Sequence, residues 1–360
     1  MTRKVIVVGA GIVGASIALH LAEGGADVTV LEAVAPASGA SGKSFGWINA
    51  NFAETPAYFR LRRAAIDAFH DVADRIGAKA PVRWHGSLWW EDSGADFDAH
   101  FDELQAFGYE AELVDASGFR ALEPNVADPP AQCIRTSVEG AADGEGMTRA
   151  LLAAAAGWGA SVVAGCEVTG IVTHGDHVIG VTTSFGDVTA DDVVVATGVA
   201  SGHLLAKVSV RLPMDNKTGV IVHTAPLAPI LRHVIMSPDI HFRQENDGRI
   251  IMGEVFSGGG LDEDLGESPA DFAAKMLERL RARLPSVPDL TVASIMTGQR
   301  PVPVDGFPVI GAARGVRGLY MAAMHSGITL GPLVGKLAAQ DILHGQRDEL
   351  LAPFGPDRFN

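Results

Sequence analysis

The first forty residues set short apolar runs between glycines. Lys4–Val8 predicts a strand, since Val5–Val8 is a continuous apolar run bounded by a turn signal, the mark of a buried strand. A glycine turn follows, then Ile12–Glu23 predicts a helix and Asp27–Glu32 a second strand. Residues 37–52 are rich in Ser, Gly and Asn and predict a loop. The apolar period then changes to three and four, with Tyr58, Leu61, Ala65, Phe69, Val72 and Ile76 on one helical face. Thr55 is a candidate N-cap, Pro56 suits the first helical position, and Gly77 can end the helix.

Beyond Pro81 the texture becomes that of short strands. Val82–Trp90 predicts a strand pair, with Trp84, Trp89 and Trp90 clustered there. Met147–Gly157 predicts a helix, followed by strands near Ser161–Val163, Gly170–Thr173, Val178–Thr183 and Val193–Ala196. Residues 208–256 predict antiparallel strands at Val220–Thr224, Ile240–Gln244 and Arg249–Glu254, with a turn at Glu245–Gly248. Ser268 and Pro269 open another helix, with Phe272, Met276, Leu280 and Leu284 on one face and Pro285 as its stop. The last unit is a strand Gly318–Ala323, a glycine loop and a helix Pro332–His344 closed by Gly345.

Composition narrows the classes. The 360 residues exceed what one core usually organises and predict two domains. A 47% hydrophobic, 20% charged chain is a folded globular protein. The formal net charge of -15 disfavours contacts with a phosphate backbone, so no nucleic-acid partner is expected. Cys133 and Cys166 form neither a disulfide framework nor a metal-ligand spacing, and no metal is expected. No secretory signal precedes the first strand, and a cytoplasmic location is expected. Leu319–Gly335 is uncharged over 17 residues, but Gly327, Gly331 and Pro332 interrupt it, so no membrane span is expected.

Gly9-Ala10-Gly11-Ile12-Val13-Gly14 is a G-x-G-x-x-G. Alone the pattern is weak. Here it joins a predicted strand to a predicted helix, and the next strand ends in Glu32, 18 residues past Gly14. Gly9 allows the tight turn, Gly11 lets backbone approach a pyrophosphate, and Gly14 lets helix pack on strand. The helix N-terminus offers N–H groups and partial positive charge to phosphates, and Glu32 can accept hydrogen bonds from ribose hydroxyls. The motif fits NAD and FAD equally.

Four segments carry a resemblance that separates the two. They are the N-terminal βαβ unit; Ser38-Gly39-Ala40-Ser41-Gly42-Lys43-Ser44; Val193-Val194-Val195-Ala196-Thr197-Gly198; and a C-terminal set. That set is Gly298-Gln299-Arg300-Pro301, Asp305-Gly306-Phe307-Pro308-Val309-Ile310-Gly311 and His325-Ser326-Gly327-Ile328-Thr329. In order and spacing the whole chain resembles the D-amino-acid oxidase, glycine oxidase and sarcosine oxidase superfamily. The resemblance implies an α/β fold: a Rossmann-like FAD-binding domain (1–80, 140–207 and 296–360) and an α+β substrate domain on an antiparallel sheet (81–139 and 208–295), both discontinuous. It implies cofactor contacts from Gly9, Gly11, Ile12, Val13, Gly14, Glu32, Ala33, Ser41, Lys43, Ser44, Val168, Thr197, Gly198, Gly327, Ile328 and Thr329. No cysteine follows Cys166, and Lys43 and Ser44 stand where some relatives attach flavin through histidine, so non-covalent FAD is implied.

The implied activity is oxidation of an amino acid or secondary amine carrying a carboxylate: hydride transfer to flavin N5, then hydrolysis of the imine. Arg300 matches the family arginine that binds the substrate carboxylate, a task suited to a planar guanidinium; the structural alternative is a pair with an acid such as Asp305. His241 and Arg243 share one side of a strand and either line a polar pocket or face solvent. Residues 208–295 lack the tyrosines that hold substrate in several relatives. Lys43, Trp47 and Asn49 are placed near the flavin ring, and His325 precedes the flavin-facing loop, as a site residue or a structural one. A flavin dehydrogenase of 2-hydroxy acids, with His241 or His325 as base, is the first alternative. A non-catalytic nucleotide-binding protein and an NAD dehydrogenase are the others. The electron acceptor, oxygen or a quinone, and the oligomeric state stay open.

Overall fold

The computed structural model describes residues 2–254 and 268–359. Val255 and Phe256, at the end of the expected antiparallel region, lie outside them. A six-stranded sheet runs in the order Val309–Ala312, Leu319–Ala323, Asp192–Val195, Lys4–Val8, Asp27–Glu32, Ser161–Ala164. All neighbours are parallel except the first pair. From Lys4–Val8 the chain first builds outward to Asp27–Glu32, then returns to the other side at Asp192–Val195. That reversal opens a crevice at the carboxyl ends of the central strands, where ligands of doubly wound sheets bind.

Alternation within the central strand divides two cores. Val5 and Val7 pack with helix Ile12–Glu23 on one face, whereas Ile6 and Val8 pack with Val178 and Val181 on the other. The second face is covered by a three-stranded antiparallel sheet, Val168–His174, His177–Thr183 and Gly186–Thr189. With both faces covered, the strand needs the unbroken apolar run that made it legible.

The second domain is an eight-stranded sheet in the order Val292–Arg300, Lys217–Thr224, Ile250–Gly253, His241–Gln244, Val234–Met236, Ser87–Trp89, Gln132–Thr136, Ala111–Asp115. Helix Pro269–Arg283 buries Phe272, Met276 and Leu280, and a Ser268–Asp271 capping box closes its N-terminus. Helix Pro56–Ile76 matches the sequence: Thr55 accepts from the Tyr58 amide, and Gly77 ends it at φ +78°.

Four expectations are corrected. Val82–Trp90 is not a strand pair: Val82–Arg83 joins Gly140–Ala142, while Ser87–Trp89 joins the eight-stranded sheet. The helix expected at Met147 starts at Gly144, because Asp143 caps the amides of Glu145 and Gly146. The last helix starts at Gly327, not Pro332, which lies inside it. Strand Val292–Arg300 was not foreseen, and the expected domain boundary at 295/296 cuts it. Its partly buried side carries Val292, Ser294, Met296, Gly298 and Arg300, too polar a row to read as a strand face.

Candidate active site

A cavity of about 650 Å³ extends from the glycine turn of the first domain to the substrate-domain sheet. Gly9 begins it at φ +103°, and a Cβ there would meet the Ala196 carbonyl oxygen at 2.6 Å, so only glycine fits. Gly11, Ile12 and Val13 line the cavity at the start of helix Ile12–Glu23. Ser41 Oγ accepts from the Ile12 amide at 2.9 Å and holds the small-residue loop against the turn. Glu32 accepts from the amides of Ala10 (2.9 Å) and Val34 (3.0 Å), which fixes its carboxylate at the cavity wall beside Ala33 and Val168. Thr197 and Gly198 line the end of the neighbouring strand. Gly14 does not reach the cavity. A Cβ at Gly14 would collide with the Gly9 carbonyl, so its contribution is helix packing.

At the other end, helix Gly327–His344 follows Ser326, which is left-handed at φ +57°. Gly327, Ile328 and Thr329 of its first turn line the cavity. Thr329 Oγ1 accepts from the Asn49 amide and donates to the Trp47 carbonyl, both at 3.3 Å, tying the helix start to the short strand Trp47–Ile48. Lys43 and Ser44 line the same wall, the Lys43 stem lying where a Cβ at Gly298 would meet it at 3.1 Å. Gly331 faces helix Ile12–Glu23, since its Cβ would lie 3.4 Å from Ile12 Cγ1.

The substrate-domain wall contributes Arg300, His241 and Glu254. Burial lowers the pKa of the half-buried Arg300 guanidinium, which marks a cation partly stripped of water. Asp305 binds Arg358 through two hydrogen bonds (2.6 and 3.2 Å), so it is not the acid that fixes Arg300. His241 is buried, with Nε2 3.0 Å from Glu91 Oε2. Arg243 is also buried but leaves the cavity: it donates to the carbonyls of Phe45 and Ala142 and pairs with Glu245. The two residues thus share a buried face, not a solvated one, and only His241 of the pair lines the cavity. His325 lines it too, and its pKa is pushed down to about 4 by burial and by the charges of Arg300, Arg62 and Lys217.

Two residues escaped the sequence reading. Arg62 lines the cavity and donates to the carbonyls of Asn49 (3.2 Å) and Asn51 (2.6 Å) and to Asn49 Oδ1 (2.5 Å). It sits in a basic run, Arg60-Leu61-Arg62-Arg63, that reads as a solvated face. Its place four residues after Tyr58, on the apolar stripe, is the signal that could have found it. Glu139 is fully buried and gathers Trp47 Nε1 (2.8 Å), Asn51 Nδ2 (2.5 Å), Ser87 Oγ and Tyr109 OH (both 2.6 Å). Burial raises its pKa, and the hydrogen bonds from Ser87, Tyr109 and Trp47 oppose the rise. No local motif marks it.

A glycine turn and acid at a topological switch, opening into a cavity that a second domain also walls, define a dinucleotide-dependent oxidoreductase. The chain belongs to the DAO family of FAD-dependent oxidoreductases, whose model matches residues 4–341. It is 27% identical to a glycine oxidase of Pseudomonas aeruginosa, over 99% of each chain. A D-amino acid dehydrogenase of Rhizorhabdus wittichii is 31% identical, over 80% of this chain and 71% of the other. The fold superposes on the crystal structure of glycine oxidase from Geobacillus kaustophilus with a TM-score of 0.87 at 24% identity, covering 98% of both chains. FAD is therefore the cofactor. The residues fit it: the side-chain-free turn at Gly9 and Gly11, the anchored Glu32 carboxylate and the length of the cavity suit a dinucleotide. Among the described residues no helix is long and apolar enough to cross a membrane.

Proposed function

We propose that this flavoenzyme oxidises an amino acid or secondary amine that carries a carboxylate. Bound FAD supplies the two-electron acceptor, so that the amine C–H is oxidised to an imine, which water hydrolyses. The observation that carries the reading is Arg300, a partly desolvated guanidinium on the cavity wall. Removed from bulk water, it binds a carboxylate more strongly than a surface arginine would, and its planar fork fixes orientation as well as charge. Glycine and D-amino acids, which the names of two relatives carry, are of this class.

The other residues serve that oxidation. Burial and the neighbouring cations push the His325 pKa down to about 4, so near neutral pH it is uncharged and adds no positive charge beside Arg300. His241, held by Glu91, gives the same substrate-domain wall a polar side chain where relatives place tyrosine. Thr329 locks Trp47 and Asn49 against the first turn of helix Gly327–His344, whose free N–H groups and positive dipole end suit negative charge. FAD is held without a covalent bond; neither cysteine lines the cavity. The electrons then pass to oxygen or a quinone.

The test is anaerobic bleaching of the flavin by D-, L-, cyclic and N-alkyl amino acids, with 2-hydroxy acids as the contrast. Bleaching by amines, with ammonia or amine released, supports the reading. Bleaching by hydroxy acids alone, with a keto acid as product, would overturn it. Admitting air or a quinone afterwards identifies the acceptor.

A further inference from the structure

Among the described residues, Arg62 carries a charge that no carboxylate in direct contact neutralises. Only 6% of its surface is exposed, and among the described residues its partners are three uncharged oxygens and the ring of Tyr58, 5.4 Å from its carbon Cζ. The acid nearest in the network, Glu139, is joined to it through Asn51, whose carbonyl accepts from Arg62 and whose amide donates to Glu139. A buried cation held this way is costly unless an anion comes to it. Arg62 lies on the wall of the cavity, so the anion can come from the ligand.

The surroundings say where. His325 and both arginines line this one cavity, so the two guanidinia border the same ligand space. They reach it from different sides: Arg300 from the edge strand of the substrate sheet, Arg62 from helix Pro56–Ile76 beneath the Asn49 segment. Acids near the substrate-domain wall already have partners: Glu91 Oε2 lies 3.0 Å from His241 Nε2, and Glu254 pairs with Lys275 and Arg279. We propose that Arg62 is a second anion-binding residue, and that the preferred substrate carries two carboxylates, one for Arg300 and one for Arg62, flanking the amine. The amine in that statement rests on the function proposed above; the pair of anion sites does not.

Isothermal titration calorimetry of the FAD-loaded enzyme tests it without turnover. The probes are thiodiacetate and (methylthio)acetate, in which sulfur replaces the amine nitrogen and one or two carboxylates remain. The unmodified protein is expected to bind the dianion at least ~30-fold more tightly, the equivalent of about 2 kcal/mol for one desolvated charge pair. Arg62→Gln, which keeps amide donors for Asn49 and Asn51, should abolish that preference and change the affinity for the monoanion by less than about threefold. Arg300→Leu should weaken both probes.

Equal affinity of the unmodified protein for the two probes would overturn the proposal. So would an Arg62→Gln enzyme that loses the monoanion as fully as the dianion, because both guanidinia would then hold one carboxylate. If Arg62→Gln fails to fold or to keep FAD, the ratio in the unmodified protein decides, and Arg62→Lys should keep the preference within about tenfold. A protein that prefers the dianion but is bleached by no amine would remove the proposed function and leave the two anion sites standing.

Discussion

Replacing Arg300 by leucine separates binding of the carboxylate from binding of the cofactor. Leucine keeps part of the aliphatic stem and removes the charge and its donors. The side chain is half-buried, and burial already lowers its pKa, so water screens it less than it would a surface cation. Losing one partner of such a desolvated pair typically costs about 2–5 kcal/mol, which predicts a fall in kcat/KM of roughly 30-fold or more. Asp305 stays bound to Arg358, so the substitution does not unpair that acid. The variant is expected to keep its flavin, which the controls check. Steady-state kinetics on a carboxylate amine and on its decarboxylated analogue give the measurement, with flavin content and Tm as controls. The penalty should fall on the carboxylate substrate and nearly vanish on the analogue, and a loss that appears in KM with kcat unchanged would mark ground-state binding. Unchanged kcat/KM on the carboxylate substrate would refute the assignment, as would an equal loss on both substrates.

Three further outcomes are expected. Acid or heat should release intact FAD from a yellow protein; flavin that stays with the denatured chain would refute non-covalent binding. Thr329→Val removes the hydroxyl that bridges Trp47 and Asn49, and Gly327→Val forces a Cβ to within 3.3 Å of Val13 Cγ2, so both should lower the flavin midpoint potential and the sulfite affinity; unchanged values in FAD-replete variants would show that this turn does not tune the flavin. Burial pushes the pKa values of His100, His223 and His325 down to about 4, against roughly 6.5 in an unfolded chain, so stability present above pH 6.5 should be lost as pH falls toward 4. His100 Nε2 is buried without a hydrogen bond while its ring stacks on Phe52, so His100→Phe should keep the neutral-pH Tm and flatten the acid slope; an unchanged slope would rule out His100 as a contributor.

What could be read from the chain divides by how local the cause is. The Lys4–Glu32 unit was legible because a turn, a helix start and a twice-buried strand each leave a mark within a few residues. Helix Pro56–Ile76 announced its cap, its first proline and its closing glycine in the same way. Strand Val292–Arg300 hid because its partly buried side mixes environments: Val292 packs on the core, whereas Gly298 and Arg300 line the cavity, so no simple apolar alternation marks it. Arg62 hid inside a basic run, although its helical phase placed it among Tyr58, Ala65 and Phe69. Glu139 was beyond reach: its four donors come from positions 47, 51, 87 and 109, and only the finished fold brings them together. Arg243 misled for a related reason, since sharing a strand side with His241 settles the face and not the depth.

The start of the last helix has a neighbour that matters. Gly327, Gly331 and Gly335 form a smooth stripe against helix Ile12–Glu23, and a Cβ at Gly335 would come within 2.6 Å of the Ser16 carbonyl carbon. Both helices begin on the cavity wall, one at the glycine turn and the other at Ser326. Clasped along this stripe, they behave as one two-pronged part, and the distance between the prongs is fixed in part by Gly331 and Gly335, which do not line the cavity. A single bulky side chain at position 335 would spread the prongs together. Such a lesion would present as poor grip on the whole cofactor, with every contacting residue intact.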